Sequence, residues 1–179
     1  MKHLFIINPN CGKGISHERC ATGIVDAMNE MGITDYEIHV TEGAGDGYSY
    51  AKQQVDKGDH IRVYACGGDG TLWEVVNACA CKPNAEVAAF PLGSGNDFIR
   101  IFGNKKDLRD VKDHINGTVM DFDLIKCGDE YAINQCSMGI DAEICAKQAY
   151  FKKLPLLSGE AAYTAALLFC FIGKMKSRF

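Results

Sequence analysis

Through its first two thirds the chain alternates short apolar runs with stretches whose apolar side chains recur every three or four residues. Residues 4–7, 36–40, 61–66 and 87–90 read as strands. Between the first two, Cys20, Ile24, Ala27 and Met31 share one helical face, with Ser16 placed to cap the helix and Gly32 to stop it. Residues 48–57 read as a second helix ended by Gly58, and residues 71–79 as a third. Strand and helix in alternation predict an α/β fold, an open and mostly parallel sheet with flanking helices.

Near residue 118 the pattern changes. Residues 119–126 and 131–136 flank Gly128-Asp129, as an antiparallel hairpin would. The expectation is a first domain over 1–118 and the beginning of a β-rich second domain over 119–179. From 141 onward the chain reads as helical, broken at Leu154-Pro155, with an apolar stretch over 161–172. That stretch is shorter than the roughly 20 apolar residues a membrane-spanning helix needs.

Composition narrows the classes. With 179 residues, 47% of them hydrophobic and 23% charged, the chain can bury one full core. Its net charge of −4 argues against a nucleic-acid partner, because phosphate backbones are held by clustered Lys and Arg. Nine cysteines, an odd number without a signal segment, point to small buried hydrophobes in a reducing cytoplasm rather than to disulfides. Cys79 and Cys81 lack the further ligands of a zinc site. His3, His17, His39, His60 and His114 share no motif spacing. The charge is uneven: from Cys145 onward six basic side chains face the single acid Glu160, which leaves residues 1–144 at −9. That basic, apolar segment, with Leu167 and Phe169, suits an anionic membrane surface or the face of a further domain.

Chemistry concentrates in two loops. Gly67-Gly68-Asp69-Gly70-Thr71 lies between the third strand and its helix, where glycines let backbone approach a phosphate and the helix start offers unpaired N–H groups. Thr71 and Glu74 fit a capping box. Asp69 beside a phosphate calls for a cation between them, so it reads as a magnesium organiser. A glycine-rich turn with a capping aspartate is the plain structural alternative. A second loop, Pro91-Leu92-Gly93-Ser94-Gly95-Asn96-Asp97, follows the fourth strand, and ligands of open α/β sheets gather beyond the carboxyl ends of strands. Two other features are set aside. Gly43-Ala44-Gly45-Asp46-Gly47 lacks the third glycine of a dinucleotide fingerprint, and Lys13 lacks Walker spacing.

Together with Asn8-Pro9-Asn10-Cys11-Gly12-Lys13-Gly14 and the run Gly67 to Asn77, these loops resemble the catalytic region of bacterial diacylglycerol kinases and sphingosine kinases, in order and in spacing. The resemblance implies ATP contacts from Asn8, Pro9, Asn10, Cys11, Gly12, Thr41, Gly67, Gly68, Asp69, Gly70, Thr71, Leu72, Trp73 and Ser94. It implies that Asp69, Asp97 and Asp121 support Mg2+ and water at the reaction centre. For Asp97, capping of a short helix over 98–102 stays open; Asp121 shares a strand face with Asp123. The implied reaction is transfer of the γ-phosphate of ATP to a lipid hydroxyl at a membrane surface, diacylglycerol first, by a cytoplasmic, peripherally associated protein. The resemblance puts the general base in a carboxylate motif beyond residue 179. A nucleotide-binding module without turnover and a NAD-kinase-like small-molecule kinase are the alternatives, and a homodimer stays open as an assembly.

Overall fold

The computed structural model describes residues 1–11, 16–93, 95–103, 107–151 and 160–172. Four parallel strands, β1 (Lys2–Ile7), β2 (Tyr36–Val40), β3 (Ile61–Gly67) and β4 (Ala85–Pro91), form one sheet in the order β2-β1-β3-β4. The central strands are apolar on both faces, which is what a parallel sheet covered on both sides requires. Leu4 and Ile6 of β1 and Val63 and Ala65 of β3 pack against α2 (Asp46–Val55) and α3 (Asp69–Cys79). Phe5, Ile7, Tyr64 and Cys66 point the other way, onto α1 (His17–Glu30). The winding therefore reverses between β1 and β3, and their carboxyl ends open the crevice where sheets of this type take ligands.

Ser16 caps α1, its Oγ accepting from the Arg19 amide at 3.3 Å. The buried stripe of α1 is Cys20, Ile24, Ala27 and Met28, so the expected Met31 is replaced by Met28. Four residues separate Ile24 from Met28, one helical turn, whereas Met31 is the C-cap, just before Gly32 leaves the helix at φ +66°. The second helix begins two residues earlier than expected because Gly45, at φ +83°, serves as its N-cap.

The hairpin is present but short: β5 (Ile125–Cys127) pairs antiparallel with β6 (Glu130–Ala132) around Gly128 at φ +62°. Residues 118–124 belong to no strand, which corrects the expected strand over 119–126 and the shared strand face of Asp121 and Asp123. Asn77 of α3 explains the local geometry, because its side-chain amide takes the place of a strand partner. Its Oδ1 accepts from the Tyr131 amide at 2.8 Å and its Nδ2 donates to the Tyr131 carbonyl at 2.9 Å. A further helix, α4 (Val111–Asn116), is capped by Asp110.

Two compact units divide the chain at 134/135. The first contains both sheets. In the second, α5 (Ile140–Phe151) and α6 (Glu160–Ile172) pack around Ile144, Ala166 and Cys170, while Leu168, Phe169 and Phe171 are exposed. The expected break at Leu154-Pro155 lies outside the described residues. No helix among those described is long and apolar enough to cross a membrane.

Candidate functional site

Three loops leave the carboxyl ends of β1, β3 and β4, and short contacts tie each to the next. After β1, the Asn8 amide donates to the Cys66 carbonyl at 3.0 Å, and Asn8 Nδ2 donates to Thr71 Oγ1 at 3.3 Å. Asn8 also accepts from the Asn10 amide, so its side chain braces its own loop. After β3, the chain enters α3 through Gly68, an N-cap without a side-chain cap. The first intrahelical bond, Leu72 N to Gly68 O at 3.0 Å, leaves the amides of Asp69, Gly70 and Thr71 ahead of it in the first turn.

After β4, the Leu92 and Gly93 amides both donate to the Gly67 carbonyl, at 2.9 and 3.1 Å. Here the glycines are required by contact. A Cβ on Gly93 would collide with Gly68 Cα, a Cβ on Gly68 would lie 3.3 Å from Gly93 Cα, and one on Gly67 would strike Thr71 Oγ1. Gly70 differs: a Cβ there would meet nothing within 4 Å. Among the described residues, therefore, no contact asks for glycine at that place.

Asp69 locks the third loop from across the crevice. Its Oδ2 accepts from the Asn96 amide at 2.8 Å and its Oδ1 from the Asp97 amide at 2.6 Å. Asn96 is buried, adopts φ +50°, and clasps Gly93 from both sides, its Oδ1 accepting from the Gly93 amide and its Nδ2 donating to the Gly93 carbonyl. Each Asp69 oxygen keeps a lone pair after these bonds. Asp97 makes no side-chain cap on the turn of 3-10 helix that follows, Phe98–Phe102; it pairs with Arg100 at 3.1 Å. The helix-capping alternative for Asp97 is thereby corrected.

The remaining expected residues divide. Thr41 is buried at the end of β2, its amide on the Ile7 carbonyl at 2.9 Å. Pro9 and Cys11 are half-buried, Asn10 is exposed and Trp73 is 40% exposed. The Leu72 side chain belongs to the core. Asp121 is exposed on the wall of an apolar groove of 680 Å³ beside β4. Asp97 and Asp121 each precede an aromatic residue, and those rings, Phe98 and Phe122, meet edge to face at 4.9 Å. Gly12, Lys13 and Ser94 lie outside the described residues.

Glu74 does not form the expected capping box with Thr71, because the helix begins two residues before Thr71, at Asp69, and the Thr71 hydroxyl faces Asn8. Its carboxylate instead reaches the start of α2, where it accepts from the Gly45 amide at 2.9 Å and the Tyr48 amide at 3.1 Å. Beside it, Asp46 Oδ2 takes the Glu42 amide and His39 Nε2, both at 2.9 Å, and Tyr50 stacks on His39 at 3.8 Å. The Glu42 amide and then His39 hold the Asp46 carboxyl below its ordinary value. A carboxylate from within the chain thus takes the Gly45 and Tyr48 amides at the start of α2. Sequence reasoning missed Asn96, Asn77 and the partners of Glu74. The one available signal was that Asn96, Asn77 and Glu74 themselves fall inside the motif runs.

The chain matches the family model described as the diacylglycerol kinase catalytic domain over residues 2–127. It is 32% identical to a diacylglycerol kinase of Staphylococcus aureus over 162 residues, which covers 88% of this chain and 49% of the relative. Against a diacylglycerol kinase of Bacillus subtilis the identity is 30% over 161 residues, covering 88% and 52%. A crystal structure of a diacylglycerol kinase from Bacillus anthracis superposes with a TM-score of 0.60 at 30% identity, over 73% of this chain and 47% of that one. A second structure from the same organism gives 0.65 at 28%, over 84% and 54%. The chain spans about half the length of these relatives.

Proposed function

From the premise that this chain belongs to the diacylglycerol kinase catalytic-domain family, we propose that it binds Mg·ATP at the carboxyl ends of β1, β3 and β4 and passes the γ-phosphate to a lipid hydroxyl, that of diacylglycerol first. The observation that carries the reading is the backbone contact of Gly68 with Gly93 beside the open first turn of α3. The close approach of the two glycine loops leaves glycine backbone beside the amides of Asp69, Gly70 and Thr71 at the start of α3, which suits a polyphosphate.

The chain's own residues would position the nucleotide. Gly67 to Thr71 would face the phosphates, with Asn8 and Asn96 holding the flanking loops in place, and Thr41 would offer its hydroxyl from the end of β2. No three of the described His, Cys, Asp or Glu side chains are grouped to hold a metal by themselves. Magnesium asks for less, one or two carboxylates with phosphate oxygens and water completing the shell. Asp69, with a lone pair left on each oxygen, and the half-exposed Asp97 fit that role. Bound magnesium supplies neutralisation of the charge on the transferring phosphoryl group. Asp121, on the segment joined to Asp97 through Phe98 and Phe122, would stand on the acceptor side.

Gly70→Val tests the reading cleanly, because the added side chain meets open space in the chain itself. The variant is expected to melt like the wild type and to lose Mg·ATP affinity in calorimetric titration by at least tenfold, about 1.4 kcal/mol. Undiminished binding would reduce the loop to a structural turn.

A second reading is a nucleotide-binding module without turnover. Mg·ATP binding without phosphate transfer would select it.

A further inference from the structure

We infer that Glu74 is a positioning residue for the nucleotide: it fastens the Thr41–Gly45 loop to the helix that carries the Gly67–Thr71 loop. The inference rests on the nucleotide reading above and adds a residue to it.

The start of α2 has no acceptor of its own, because its N-cap is Gly45. Glu74 supplies one from the second turn of α3, with one oxygen on the Gly45 amide and the other on the Tyr48 amide, at 2.9 and 3.1 Å. These are the N-cap and third helical positions, the two amides that a capping box satisfies from within one helix. Here a carboxylate 29 and 26 residues away in sequence does it, at the positive end of the α2 dipole. The fit is close. A Cβ on Gly47 would lie 2.7 Å from Glu74 Oε2, 3.1 Å from Ile6 Cγ2 and 3.5 Å from Thr41 Cγ2. Gly47, Thr41, Ile6 and Glu74 therefore form one packed knot at the end of β1 and β2.

The loop over 41–45 is fastened to three neighbours among the described residues, first to β1 through the Thr41 amide on the Ile7 carbonyl. Asp46 and His39 tie it to β2, within the same stretch of chain. Among the described hydrogen bonds it is Glu74 that ties it to α3, whose first turn presents the amides proposed to face the phosphates. With Glu74 in place, Thr41 and the Gly67–Thr71 loop are held in fixed relation before any ligand arrives. Without it, binding must order the loop and lose affinity for that reason.

The test compares wild type, Glu74→Ala and Glu74→Gln by calorimetric titration with Mg·ATP, well below the melting temperature of each, alongside hydrogen exchange at the Gly45 and Tyr48 amides. Glu74→Ala is expected to weaken Mg·ATP about tenfold and to speed exchange at both amides. Glu74→Gln keeps one acceptor oxygen and is expected to recover part of both; it also carries the test should Glu74→Ala not fold. Where transfer is measurable, KM for ATP should rise while kcat stays near wild type. A purely structural role would lower the melting temperature and leave affinity alone. Wild-type binding with unchanged affinity in both variants overturns the inference and spares the nucleotide reading. A wild-type chain that binds no Mg·ATP overturns both.

Discussion

Asp69 accepts from the amides of Asn96 and Asp97 while standing in the first turn of α3, so one carboxylate serves both the architecture and the proposed metal. Asp69→Asn separates the two roles by degree. The amide that replaces one oxygen turns N–H groups toward an N–H donor, so one loop bond is lost at a cost of about 1 kcal/mol. The charge that would draw magnesium is lost entirely. The expected outcome is a protein that still folds, melts slightly lower, and binds ATP with no dependence on magnesium in calorimetry. Unchanged affinity together with unchanged magnesium dependence would remove Asp69 from the metal site. Glu74 and Asp69 share a logic at this scale: each is a carboxylate in a motif that acts on backbone amides of a different loop.

At the scale of elements, β1 and β3 are joined by their ladder and by the pair His3 and Tyr64. Burial, with the Arg62 charge adding to it, holds His3 below its ordinary 6.5, and burial pushes the Tyr64 hydroxyl up to about 12. The hydroxyl and a neutral His3 Nδ1 share a hydrogen bond of 2.7 Å. Above pH 6.5 His3 is neutral in folded and unfolded chains alike, and its contribution is intact. As pH falls below 6.5 the unfolded chain takes up the proton first, so stability declines until folded His3 is protonated too. Thermal melts between pH 7.5 and 5 should fall more for the wild type than for His3→Gln; parallel curves would show that His3 has no part in the decline. The strands themselves were legible in the sequence because a buried parallel strand is an unbroken apolar run, and β2 was read to the residue. The glycine loops were legible because they sit where strand pattern turns to helix pattern. The partners of Glu74 and Asn77 were not, since a hydrogen bond to a backbone amide 26 or 54 residues away leaves no periodicity behind. The strand expected over 119–126 failed for a related reason: its apolar residues Val119, Met120 and Phe122 are exposed, lying along a groove instead of pairing.

For the whole molecule, the loops proposed to hold the phosphates all belong to the first compact unit. The protein is expected to bind Mg·ATP and to place radiolabelled phosphate into diacylglycerol offered in mixed micelles; binding with no label in the lipid fraction would select the module without turnover. The order of the sheet has a consequence for how such a protein is made. β1 leaves the ribosome first, yet its place is inside the sheet, with Lys2 opposite Ile61 and His3 opposite Tyr36. At about 5–20 residues per second, β1 waits roughly 3–12 s for β3 to be synthesised. During that interval the nascent chain carries the apolar run Leu4–Ile7 with one edge unclaimed, so the speed of translation up to residue 67 sets how long that edge stays open.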